Sequence, residues 1–339
     1  MMTSQQMSDI EVAPDIEVAL KQLPTATTLN ERKLAFHYAA NIWDGQTDVF
    51  ENGPLLGGIT RALAIGMYVN ERRRPDTRLR TYDWFSLRVG VDLPEGTWRR
   101  LVEFGYLTNE QVNAAHAAGT FKTLFEALHS RCDYWPLVQP EVGYLPGHRN
   151  DVPKFGESVF YAPVGRKFGL AFVDGCKSWY GTKHWFFEIA PHLAPDTHVL
   201  FQDYGTHTCF WLPMLVGLMP DCFQLRANVD HTYAFQILKP VSREEIESIY
   251  PDEPADLGRE IYDAVFDAHL EAASTRNDRW QIMVLQVQRA AAYAYIGYKD
   301  KARAILDELL MNPEWLQHRH FLESARRAPT YSPEGEILL

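Results

Sequence analysis

Four carboxylates stand where apolar runs give out: Glu51 after Val49-Phe50, Asp83 after Arg78 to Tyr82, Asp174 after Phe168 to Val173, and Asp203 after His198 to Phe201. If these runs are parallel strands of one open sheet, the acids share its carboxyl edge, where such sheets bind ligands. Gathering like charges there is costly unless a cation or hydrogen-bond donors meet them, so the arrangement asks for a ligand. A carboxylate can accept two hydroxyl hydrogen bonds, which suits Asp83 to a ribose diol. Asp174 and Asp203 stand 29 residues apart in the chain, as two strands and an intervening helix require. His207 is a candidate base, and Lys177 and His184 follow the Asp174 turn as lesser ones.

The segment Glu51-x-Gly53-x-x-x-Gly57-Gly58-x-Thr60 is the most informative. Gly53 can make a tight turn, and Gly57 and Gly58 let a backbone approach closely at a helix N-terminus. The spacing is not G-x-G-x-x-G, so pyrophosphate binding and a nicotinamide oxidoreductase are disfavoured. An ordinary strand-to-helix turn is the alternative use of the same glycines.

The elements that must position these residues alternate. A strand at 47–51 leads into a helix at 60–71, and a second strand at 78–82 leads into a long helical region at about 94–130. Pro and Gly are dense from Pro136 to Gly156, implying irregular chain around one strand. Phe168–Val173 reads as a strand buried on both faces, and His198–Phe201 as another, with a helix between them. A helix at 210–219 precedes two strands, 223–229 and 232–238, joined by a tight Asp230-His231 turn. The simplest fold is α/β, a mostly parallel Rossmann-like sheet finished by an antiparallel hairpin. Three regions follow: a tail and helix at 1–44, the helix capped by Asn30; the α/β domain at 45–240 with a helical insertion at about 86–165; and a helical C-terminal extension at 241–339. Ser242 and Glu245 form a capping box in that extension, and one of its hairpins resembles a tetratricopeptide pair without a second copy.

Composition narrows the function. With 33 basic and 44 acidic residues the net charge is −11, which argues against nucleic-acid or anionic-membrane binding. The longest apolar stretch, Phe210–Met219, is about half the ~20 residues of a membrane span, and the acidic N-terminus lacks the pattern of a signal peptide. Four cysteines without a C-x-x-C read as reduced thiols, and the expected location is cytoplasmic.

The glycine segment with Asp83, Phe-Val-Asp-Gly at 172–175 and Phe-Gln-Asp-Tyr at 201–204 resembles the class I S-adenosylmethionine-dependent methyltransferases. Within them it is similar to the macrocin O-methyltransferase-like sugar and natural-product subgroup, over about residues 45–240 with 86–165 poorly matched. The resemblance implies that Glu51, Gly53, Gly57 and Thr60 bind the cofactor S-adenosylmethionine and that Asp83 holds its ribose. It implies that Asp174 and Asp203 lie across the mouth, where the family often binds a divalent cation such as Mg2+ to activate the acceptor hydroxyl. Two departures matter. Cys176 stands where a further aspartate is expected, and Gln202 where another acid can occur, so metal-assisted and metal-free routes both stay open; without metal, an aspartate or His207 would be the base.

The expectation is therefore an O-methyltransferase acting on a small hydroxylated acceptor, with the helical regions as lids or an oligomer surface. The alternative is a catalytically divergent binding or assembly protein that keeps the cofactor pocket.

Overall fold

The computed structural model describes residues 5–6, 10–23, 25–87 and 95–327. Its strands are β1 (Gln5–Gln6), β2 (Asp48–Asn52), β3 (Leu79–Asp83), β4 (Val138–Val142), β5 (Phe168–Val173), β6 (Leu193–Phe201), β7 (Phe223–Val229) and β8 (Thr232–Ile237). They form one sheet in the order β1-β7-β8-β6-β5-β2-β3-β4. β8 runs antiparallel to β6 and β7, and the other pairings are parallel. The chain builds outward from β2 to β4, then returns to the other side of β2 with β5. The crevice between β2 and β5 is thus a topological switch point, the place where an open α/β sheet takes its ligand.

The helices of the first half are α1 (Pro14–Lys21), α2 (Leu29–His37), α3 (Gly58–Val69), α4 (Glu95–Glu103), α5 (Asn109–Ala118), α6 (Lys122–His129) and α7 (Asp151–Phe155). Those of the second are α8 (Trp179–Ile189), α9 (Trp211–Leu218), α10 (Arg243–Ile249), α11 (Arg259–Thr275), α12 (Arg279–Tyr295), α13 (Lys299–Met311) and α14 (Arg319–Arg327). Side chains alternate across the central strands, so the sheet has two buried faces. Val49, Leu170 and Phe172 meet α2, α3 and α6 on one face, while Phe50, Ala171 and Val173 meet α8 and α9 on the other.

Three sequence expectations change in detail. The cap of α2 is Thr28, not Asn30: its hydroxyl accepts from the Glu31 N–H while Glu31 accepts from the Thr28 N–H. The helical region at 94–130 is three helices, broken where Gly105 and Gly119 take φ of 71° and 66°. β6 begins at Leu193, five residues before the predicted start, across an irregularity in its register with β5. β4 tolerates Pro140 because it lies at the sheet edge.

The C-terminal helices are not a separate cap. Tyr262, Val265 and Phe266 of α11 and Leu285, Ala291 and Ala292 of α12 join the apolar cluster on the α8–α9 face. Further out, α12, α13 and α14 close around a smaller core containing Val287, Leu306 and Leu322. No helix among the described residues is long and apolar enough to cross a membrane.

Candidate functional site

A cavity of about 670 Å³ opens at the switch point. Its floor is Asn52 and Gly53 after β2, Asp83 and Trp84 after β3, and Gly175, Lys177 and Ser178 after β5. Tyr144 and Leu145 after β4 form one wall, and Tyr295 of α12 reaches it from the C-terminal helices. Trp84, Tyr144 and Phe155 pack in tilted and edge-on contacts at 4.5–5.2 Å between centroids, and Trp84 and Tyr144 give that side an aromatic lining.

The turn after β2 is held by packing so tight that only glycine fits. Gly53 has φ of 79°, and a Cβ there would sit 2.9 Å from the Gly175 nitrogen. A Cβ on Gly175 would in turn strike the Asn52 side chain. The two glycines let the β2 and β5 turns touch across the switch point. Asn52 Oδ1 is buried without a hydrogen-bond partner although its residue lines the cavity. Leaving an acceptor unpaired costs about 1–3 kcal/mol, so it fits a ligand that brings an N–H or O–H donor.

Asp83 is nested in backbone. Its Oδ1 accepts from the Phe85 N–H at 2.8 Å, and Phe85 holds φ of 52°. Burial raises the carboxyl to a pKa of about 6, against the backbone N–H groups of Phe85, Leu55 and Trp84, which favour its charged form. It ionises near neutrality with acceptor capacity to spare.

Asp174 and Asp203 are organised differently. The Lys177 ammonium lies between them, 2.6 Å from Asp174 Oδ1 and in contact with Asp203 Oδ2. Thr206 donates to Asp203 Oδ1 at 3.0 Å, and the Gln202 amide, with its nitrogen turned inward, donates to Asp174 at 2.7 Å. Burial raises Asp174 above the usual carboxylate range despite the lysine charge. In Asp203 burial is outweighed by Lys177, which holds the carboxyl below that range. Burial also opposes the charge on Lys177, but the two aspartates outweigh it and keep the ammonium protonated. Asp203 itself sits at φ of 63°, a strained geometry fixed from outside: Gln288 of α12 donates to the Tyr204 and Thr206 carbonyls at 2.8 Å each.

Of the predicted cofactor residues, Gly53 and Asp83 line the cavity, while Glu51, Gly57 and Thr60 do not. Glu51 is 1% exposed and accepts from Thr60 at 2.7 Å beneath the turn, and burial raises its carboxyl to about 7. Gly57, with φ of 85°, is close to the protein itself: a Cβ would meet His129 Nε2 at 2.0 Å. Gly58 likewise abuts Thr25. The close approach read from these glycines serves the inserted helix α6 and the N-terminal segment.

His207 packs edge-on against Phe321 of α14, 5.3 Å between centroids, and is not among the cavity-lining residues. His184 bonds the Phe160 carbonyl at 2.8 Å in the interior. Trp179 stacks on Tyr250 at 4.1 Å and, like Trp185 and Trp211, belongs to the core. Cys176 and Cys209 are buried there too, with burial pushing the Cys209 thiol up to about 12. All four cysteines are free.

The residues present do not fit the divalent cation that the sequence left open. No group of three or more His, Cys, Asp or Glu among the described residues is disposed to hold a metal, and the space between the two aspartates holds an ammonium. Sequence reading undervalued Lys177. Its spacing three residues after Asp174, in the first turn toward α8, was the available signal. Asn52, Trp84, Tyr144 and Tyr295 were missed because nothing local marks a residue that only the sheet edge brings to the cavity.

The sheet, with the parallel order β4-β3-β2-β5-β6 and the antiparallel β8 beyond β6, is Rossmann-like. No family model matches the chain, and no curated protein matches it. Among solved structures it is similar to the O-methyltransferase NovP at 14% identity and a TM-score of 0.39, covering 66% of this chain and 88% of that one. It is similar to the calicheamicin methyltransferase CalS11 at 14% identity and a TM-score of 0.38, covering 69% and 99%. The S-adenosylhomocysteine-bound Podospora anserina methyltransferase PaMTH1 aligns at 15% identity and a TM-score of 0.36, covering 68% and 89%.

Proposed function

We propose that the protein is an S-adenosylmethionine-dependent O-methyltransferase acting on a small hydroxylated acceptor, a sugar or natural product. The observation that carries this reading is the cavity at the switch point with Asp83 in its floor. A carboxylate at the end of β3, beside the switch point, is placed to accept both hydroxyls of a ribose. Beside it the Trp84–Tyr144–Phe155 group offers aromatic surface to a nucleobase. The unpaired Asn52 oxygen suits the ammonium of the methionine part. S-adenosylmethionine supplies an electrophilic methyl group on sulfonium; the chain's contribution is to hold the acceptor oxygen in line with it. Asp174 and Asp203 are not themselves cavity-lining residues but hold Lys177, which is, and they are the candidate carboxylates to take the hydroxyl proton.

Calorimetric titration with S-adenosylhomocysteine tests the reading. Micromolar binding is expected, weakened about 100-fold, or roughly 2.7 kcal/mol, in Asp83→Ala. Absence of binding to the folded wild-type protein would refute it, and unchanged affinity in the variant would remove the ribose assignment.

A further inference from the structure

The pair Asp174–Asp203 looks like a metal site and is built around something else. A lysine ammonium has three N–H donors and no acceptor. Lys177 directs one at Asp174 and one at Asp203. The residue also lines the cavity, which leaves the third donor for whatever enters there. Around it, Gln202 and Thr206 satisfy the outward oxygens of the two carboxylates. A divalent ion needs those oxygens, and waters beside them, where the ammonium stands. Cys176, in the position that could have offered another ligand, is turned into the core, with its carbonyl accepting from Trp211 at 2.8 Å.

We propose that Lys177 is the fixed cation of the acceptor subsite, standing in place of a divalent metal ion and binding the acceptor oxygen directly. The Asp174–Lys177–Asp203 triad is then a preformed site for a hydroxyl or oxyanion, carried by the polypeptide rather than assembled from solution. The identity of the bound oxygen as a methyl acceptor rests on the methyltransferase reading. The absence of metal binding does not.

The experiment is a titration of the full-length protein with Mn2+, following the free ion by electron paramagnetic resonance. Wild-type protein is expected to show no stoichiometric site up to millimolar Mn2+, and Asp174→Asn to behave the same. Lys177→Ala is expected to gain a site at least about tenfold tighter than any wild-type binding. The double variant K177A/D174N should lose it again. If Lys177→Ala does not fold, Lys177→Ser serves in its place. A wild-type site of micromolar affinity that Asp174→Asn abolishes would overturn the proposal, and so would a folded Lys177 variant that gains none. S-adenosylhomocysteine calorimetry on the same samples separates the two ideas. Cofactor binding together with a wild-type manganese site sinks the lysine proposal alone; no cofactor binding with the predicted ion behaviour sinks the methyltransferase reading alone.

Discussion

The carboxyl ends of β2 and β3 and those of β5 and β6 carry acids in equivalent topological positions, stabilised by opposite means. On the first side Glu51 and Asp83 are handled by burial and hydrogen-bond donors, Thr60 for one and backbone N–H groups for the other, and both pKa values rise. On the second, Asp174 and Asp203 share an ammonium. Strand-end acids are therefore not one kind of feature. Burial without a neighbouring cation makes a carboxyl that can be neutral near pH 7 even against its hydrogen-bond donors, whereas a neighbouring cation makes an anchored ion cluster.

This contrast can be broken by mutation. The largest effect is expected from Gly57→Ala, which must place a Cβ into His129 and keep a left-handed backbone. A loss of about 4 kcal/mol in chemical denaturation is expected, from left-handed strain and overpacking together. Because Gly57 does not line the cavity, cofactor affinity of the protein that remains folded should stay near wild type; a strong loss there would restore Gly57 to the cofactor site.

Next comes the pH dependence of Glu51. Its folded pKa of about 7 lies above the ordinary glutamate value of 4.5. The folded state thus holds the proton more tightly, and stability present below about 4.5 is lost as pH rises through 7. The shift corresponds to about 3 kcal/mol, and Glu51→Gln should flatten that part of the stability profile. An unchanged slope between pH 4.5 and 7 would show that Glu51 is ionised in the folded protein throughout.

On the other side, Lys177→Met leaves two carboxylates facing each other without their cation. Partial solvent access moderates the cost to about 2 kcal/mol, measurable as a lower urea midpoint near neutral pH. Equal stability would mean that the bridge adds nothing to the fold. Thr206→Val removes one hydroxyl donor from Asp203 and should cost about 1 kcal/mol by the same measurement.

Much of the sheet was legible in the sequence because strands buried on both faces read as apolar runs, as Phe168–Val173 does, and turns are marked by residues such as Asp230, which takes φ of 48°. The switch point emerged only with the strand order of the folded sheet. Nor were the partners of the glycines legible. Gly57 signals that something comes close, but only the fold reveals that it is His129, 72 residues on, rather than a ligand. The neighbour of His207 was hidden for a similar reason: Phe321 lies in α14, beyond any local pattern. Lys177 was visible in sequence, yet its meaning depends on Asp203 arriving from the adjacent strand.

The side-chain amide of Gln288 gives the chain an order of completion. It holds the carbonyls of Tyr204 and Thr206 from 84 and 82 residues downstream. All eight strands among the described residues are finished by Ile237, so a nascent chain can close that sheet while the turn bearing Asp203 still lacks its clamp. Only when α12 has left the ribosome can that turn lock. A chain halted before Gln288 would therefore carry a complete sheet and an unfinished acidic turn.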